Sequence, residues 1–149
     1  MGRIILIVLA FSFIIACNKD KLETKPSIKI KSVSSTTIAQ GQPLQVEMEF
    51  ADKEGDINDS IFMFKTRLNK RVRPTIRDMV PISIPDARNA KRGTIQLFLE
   101  YNNYLISALD PGPPPNAEPD TLSVRFALRD KAGNVSDTVS IGTIIVARQ

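Results

Sequence analysis

The sequence predicts an all-β fold, an antiparallel β-sandwich of about seven strands. Three observations carry that expectation. Short segments alternate apolar and polar residues with period two, as strands with one buried face do. Gly, Pro, Asn and Asp punctuate the intervals between them. No stretch carries the 3.6-residue apolar stripe of an amphipathic helix.

The first strand is expected near 27–33, where Ile28 and Ile30 alternate with Lys29 and Lys31. The second, Leu44-Gln45-Val46-Glu47-Met48-Glu49-Phe50, alternates without error. A third follows at 61–68. A fourth, at 76–84, is marked as an edge by Pro81 and Pro85, since proline has no N–H for the ladder. In the fifth, at 93–101, Ile95, Leu97, Leu99 and Tyr101 share one face and Thr94, Gln96, Phe98 and Glu100 the other, which leaves Phe98 as an apolar outward residue. The sixth, at 121–129, reads Leu122-Ser123-Val124-Arg125-Phe126-Ala127-Leu128-Arg129, and a weaker seventh lies at 138–147. Seven strands at this spacing are the signature of an Ig-like sandwich. In such a fold the first and fifth strands flank the second, which sets Lys29 and Lys31 beside Glu47 and Glu49 and supports the pairing electrostatically.

Two connections stand out. Asn102–Asp120 is long for a compact domain and contains Asp110-Pro111-Gly112-Pro113-Pro114-Pro115, a run that favours an extended path without ladder hydrogen bonds. It reads either as a solvated insertion or as a binding loop. Around the third and fourth strands lie Lys65, Arg67, Lys70, Arg71, Arg73 and Arg77, either a solvated face or, if clustered, a surface for lipid phosphates or an acidic partner.

Ahead of the sandwich, Arg3 precedes the apolar run Ile4–Ala16, which ends at Cys17 and gives way to Asn18-Lys19-Asp20-Lys21. A basic start, a short apolar core and a small residue before the break form a secretory signal peptide. The run is shorter than the roughly 20 residues that a membrane-spanning helix needs. Ile14-Ile15-Ala16-Cys17 resembles the lipobox of bacterial lipoproteins. The resemblance implies that residues 1–16 are a cleaved signal, that the Cys17 thiol receives a diacylglyceryl group, and that its amine is acylated with a palmitate-type chain. Residues 17–27 then form a charged tether and residues 28–149 the sandwich domain. Asn18 is not the Asp that retains some lipoproteins in the inner membrane, so the expected location is the cell envelope, lipid-anchored in the outer membrane. Lys19-Asp20 resembles in part the charged signals that send such proteins to the cell surface, and the periplasmic face stays open beside it.

Composition narrows the chemistry. The chain has no histidine, which removes Ser-His-Asp and Cys-His catalysis and the commonest transition-metal ligand. It has no tryptophan and only two tyrosines, Tyr101 and Tyr104, so the usual rings for stacking sugars or bases are scarce. Cys17 is the single cysteine, which excludes an intramolecular disulfide. The formal charge of +4 suits anionic headgroups or glycans better than nucleic acid in an exported protein.

The remaining candidates are acidic. Asp52-Lys53-Glu54-Gly55-Asp56-Ile57-Asn58-Asp59 follows the second strand, and Asp130-Lys131-Ala132-Gly133-Asn134-Val135-Ser136-Asp137 follows the sixth. These resemble the Asp-Gly-Asp and Asp-x-Ala-Gly-Asn-x-Ser loops of exported Ig-like and cadherin-like bacterial domains, and the chain as a whole resembles Bacteroidota-type lipoproteins with one such domain. In an Ig-type sandwich these loops share a pole, so Asp52, Asp56, Asp59, Asp130 and Asp137 are candidate calcium ligands. Hard cations take six to eight oxygens from such loops. Asp, Asn and Gly are equally what tight turns require, so a metal site and plain turns both remain open. The expected function is a non-enzymatic binding or interaction module with a protein partner, no nucleic-acid ligand and no cofactor beyond calcium. The alternative is a glycan-binding accessory lipoprotein of a nutrient-uptake system.

Overall fold

A computed structural model describes residues 24–57, 60–85 and 89–148. Among these residues eight strands form two sheets: β1 (Ser27–Val33), β2 (Thr37–Ile38), β3 (Leu44–Ala51), β4 (Ser60–Arg67), β5 (Met79–Ser83), β6 (Arg92–Leu99), β7 (Asp120–Arg129) and β8 (Val139–Val146). One sheet has the order β1-β3-β6 and the other β2-β8-β7-β4-β5. The seven strands expected from the sequence are all present. The short β2 was not expected. It runs parallel to β8, pairing Thr37 with Ile145 and Ile38 with Val146.

Alternation explains which residues fill the space between the sheets. Leu44, Val46, Met48 and Phe50 of β3 face Leu122, Val124, Phe126 and Leu128 of β7 within one buried cluster, joined by Ile61 and Met63 of β4 and Ile144 and Val146 of β8. Burying an aliphatic or aromatic side chain of this kind contributes about 1.5–3 kcal/mol, and here no disulfide assists. The charge pattern across β1 and β3 is realised: Lys29 pairs with Glu49 in register, and a bulge between Ile30 and Ser32 lets Lys31 Nζ reach Glu47 at 2.9 Å.

β1 packs across β8, which sets β3 and β6 over β7 and β4. β5 pairs with β4, not with β6. The five-stranded sheet therefore extends past β6 at that side, and β5 is an edge, as Pro81 requires. After β6 the chain makes one π-helical turn, Tyr101–Leu105, which buries Tyr101 and Leu105.

Candidate metal centre

The acidic pole is built by the connections β3–β4 and β7–β8. Asp52 is wholly buried, 0% exposed. Its Oδ2 accepts from the backbone N–H of Gly55 at 2.6 Å and of Asp56 at 3.2 Å, which coils the chain into a tight turn. Gly55 is required there twice over. Its φ is +76°, and a Cβ would lie 2.7 Å from the Asn89 carbonyl oxygen. Across the pole, Asp130 Oδ1 accepts from the N–H of Asn134 at 2.7 Å and Oδ2 from the Asn134 side-chain amide at 2.8 Å. Lys131 N–H donates to the Asp56 carbonyl at 3.1 Å and joins the two loops.

These turns bring Asp52, Asp56 and Asp130 together, with one oxygen from each within 4.8 Å of the others. Two oxygens on opposite sides of one calcium ion are separated by about 4.8 Å, twice the usual bond length, so the trio fits a single ion. The donor set is all oxygen, as a hard cation prefers. Asp52 Oδ1 and Asp56 Oδ1 are buried and have no hydrogen-bond partner. Burial, followed by repulsion from Asp130 and Asp52, raises the pKa of Asp56. Lys53 and Lys131, in the same loops, are exposed.

Of the five candidate ligands, the structure gathers these three. Asp137 is a correction: its side chain is 94% exposed and it pairs with Lys25 at 2.6 Å instead of joining the cluster. The reason is local. Ser136 turns inward, its hydroxyl accepting from Leu128 N–H at 2.9 Å, so the next residue points to solvent. Asp59 and the lipidation candidate Cys17 lie outside the described residues, as do the signal segment and the tether up to residue 23. The last tether residues are not free, because Pro26 is buried and Lys25 is held at the acidic pole.

At the opposite pole lies an ion network that sequence reading missed. Asp120, 0% exposed, receives Arg67 Nε at 2.8 Å, an Arg148 guanidinium N–H at 2.8 Å and the N–H groups of Ser107 and Ala108. Glu118 takes a second bond from Arg67 at 2.9 Å, and Asn69 and Arg67 together lower its pKa. Lys65 is buried and donates to the Ile106 carbonyl at 2.7 Å. Burial, with Arg77 nearby, lowers its pKa to about 8. The signal was available, since Lys65 and Asp120 are charged residues at inward positions of otherwise apolar alternation.

The network also involves the basic set and the Pro-rich connection. Lys65, Arg67 and Arg73 of the basic set line a cavity of about 330 Å³ and are tied to internal acceptors, while Lys70, Arg71 and Arg77 are exposed. The Pro-rich connection is pinned by Arg73 to the Asp110 carbonyl at 2.7 Å and by an antiparallel bridge between Thr75 and Ala108. It contains a cis Pro114–Pro115 bond.

No protein-family model matches the chain, and no curated protein matches it. Among solved structures it is similar to a β-glucosidase from Listeria innocua in complex with gluconolactone, at 15% identity and a TM-score of 0.38. The match covers 82% of this chain and 16% of that one, and a likeness of this degree bears on neither activity nor ligand.

Proposed function

We propose that this chain is a lipid-anchored, non-enzymatic interaction domain of the cell envelope, one pole of which is set by a bound divalent cation, calcium best suiting its donors. The observation that carries the cation is the pair of orphaned oxygens, Asp52 Oδ1 and Asp56 Oδ1, buried beside Asp130. Leaving buried carboxylate oxygens unpaired is costly. A bound cation would neutralise the three carboxylates and tie the β3–β4 loop to the β7–β8 loop. The anchor rests on the lipobox-like Ile14-Ile15-Ala16-Cys17. An interaction role is favoured over a glycan-binding one because Tyr101 is buried, its hydroxyl donating to the Ala147 carbonyl, and Tyr104 is half-buried.

The test is a calcium titration of the purified chain after chelation, followed by thermal unfolding. A ligand at about ten times its Kd stabilises by about 1.4 kcal/mol, and extracellular calcium modules have Kd values near 10⁻⁴–10⁻³ M. Millimolar calcium should therefore raise Tm by about 4–8 °C for a domain of this size, and magnesium by much less. No rise at millimolar calcium sinks the cation site.

A further inference from the structure

The two outer faces of the sandwich differ in chemistry, and the difference supports an inference that rests on, and deepens, the interaction reading. A sheet face open to water is normally polar, and the three-stranded sheet largely obeys. Lys29, Lys31, Glu47 and Glu49 stand outward there, with Lys31 and Glu47 paired at 2.9 Å, beside one exposed ring, Phe98. The five-stranded sheet does not obey. Its β4 begins Ser60-Ile61-Phe62-Met63-Phe64-Lys65, and Ile61, Met63 and Lys65 are buried, so Phe62 and Phe64 point outward. Neither ring belongs to the core cluster, and both are half-buried.

Register assembles these rings into a patch. Phe64 lies between Met79 of β5 and Arg125 of β7, and Phe62 lies between Pro81 and Ala127. Met79 is 59% exposed. The Arg129 guanidinium stands over the Phe62 ring at 5.0 Å, a cation–π contact that holds a charge at the border of the apolar strip. Arg125 is exposed and forms no ion pair among the described residues. The two arginines are four residues apart on one face of β7, about 13 Å along the strand. Across β4, β5, β7 and β8 the outward positions hold no aspartate, glutamate or lysine.

We propose that this face docks a protein partner whose surface presents carboxylates around an apolar centre. Enrichment in phenylalanine, methionine and arginine, with lysine and acids depleted, distinguishes the centre of a protein–protein interface from ordinary surface. The arginines set the sign of the partner, since a guanidinium covered by an apolar contact needs an acidic group opposite it. A second copy cannot supply that group from the same face, because a two-fold contact brings four arginines together without an acid. A lipid surface fits less well. Membrane-binding faces draw on lysine as well as arginine, and the exposed Lys53, Lys70 and Lys131 lie in loops away from this face.

A displayed library of random peptides, selected on the full chain carrying Cys17→Ser, supplies a defined probe. Recovered sequences should be rich in Asp and Glu around aliphatic or aromatic residues. A synthetic copy of one should lose at least about tenfold in affinity with Arg125→Glu and with Phe64→Ser. Arg125 is exposed, so its variant stays folded even where Phe64→Ser does not. Lys29→Glu, the same charge change on the other outer face, should leave the affinity unchanged. Exchanging one acid of the peptide for lysine should recover binding to the Arg125→Glu chain. Equal loss from Lys29→Glu and Arg125→Glu overturns the inference. So does binding to vesicles of phosphatidylglycerol and phosphatidylethanolamine that Phe64→Ser abolishes, or a dimer in sedimentation that Phe64→Ser dissolves. Peptides that bind both variants at full affinity remove this face and leave the interaction reading, whereas a library that yields no binder removes both.

Discussion

At the residue scale, the two poles place titratable groups in opposite kinds of strain. Asp56 sits among carboxylates, and its pKa is raised by burial and by Asp130 and Asp52. An acid whose folded pKa exceeds its unfolded value favours folding below the unfolded pKa, and that contribution is lost as pH rises through the folded pKa. In chelator, stability should therefore decline as pH rises through the Asp56 titration. Asp56→Asn should remove that decline and raise Tm at neutral pH, because it relieves the repulsion and desolvation. The same change should abolish the response to calcium, a reversal of sign that simple turn stabilisation does not produce. Lys65 is the converse case. Its folded pKa of about 8 lies below the ordinary 10.5, so between those values the unfolded chain holds a proton that the folded chain has released. Stability should rise across that window by at most about 3 kcal/mol. Denaturant midpoints measured from pH 7 to 10.5 should show the gain in the parent chain and not in Lys65→Met. Equal slopes would mean that Lys65 titrates as an exposed lysine does.

At the element scale, β6 is paired among the described residues with β3 alone, and one cross-strand pair illustrates how closely they fit. Phe50 lies opposite Gly93, and a Cβ on Gly93 would stand 2.7 Å from the Phe50 ring. The ring covers the glycine, so Gly93→Ala must displace a buried aromatic side chain. Overpacking of this kind costs about 1–3 kcal/mol. Phe50→Leu should lose stability alone, yet the double variant should be better than the sum of the two, a coupling readable from urea midpoints. Additive losses would show that the ring moves freely. This pair could not be read from the sequence, because alternation gives faces and not partners. The seven longer strands were legible for the same reason, since each buries one face. β2 was not, because two residues, Thr37 and Ile38, are too few to show a period. The choice of β4 over β6 as the partner of β5 left no trace in the pattern either, because Val80 and Ile82 would alternate identically in both positions. At the acidic pole, Asp52, Asp56 and Asp130 were legible as loop carboxylates that share an end of the sandwich. Asp137 belonged to the same motif by spacing and was turned outward by the inward Ser136.

At the scale of the whole molecule, the topology gives the sandwich a direction. β1 begins opposite the end of β3, and Lys25 is paired with Asp137, so the chain enters at the acidic pole. The Arg67–Asp120–Arg148 network and the exposed Val72, 92% accessible, belong to the opposite end. If Cys17 carries the lipid, the eight residues from Cys17 to Lys25 span at most about 29 Å. The carboxylate cluster then lies close to the headgroups, and the ion network points away from the membrane. Acyl chains contribute about 0.8 kcal/mol per buried CH₂, and more than one chain is needed for firm anchoring. Cys17→Ser should accordingly move the protein out of the membrane fraction while its unfolding midpoint stays within about 0.5 kcal/mol, since the change lies outside the packed sandwich. Orientation can be read on the anchored chain with a fluorophore placed through Lys131→Cys or Val72→Cys and an acceptor on the lipid headgroups. Energy transfer should be clearly stronger from position 131 than from position 72. Equal transfer from both would show that the tether leaves the sandwich free to tumble, and stronger transfer from position 72 would reverse the assigned direction.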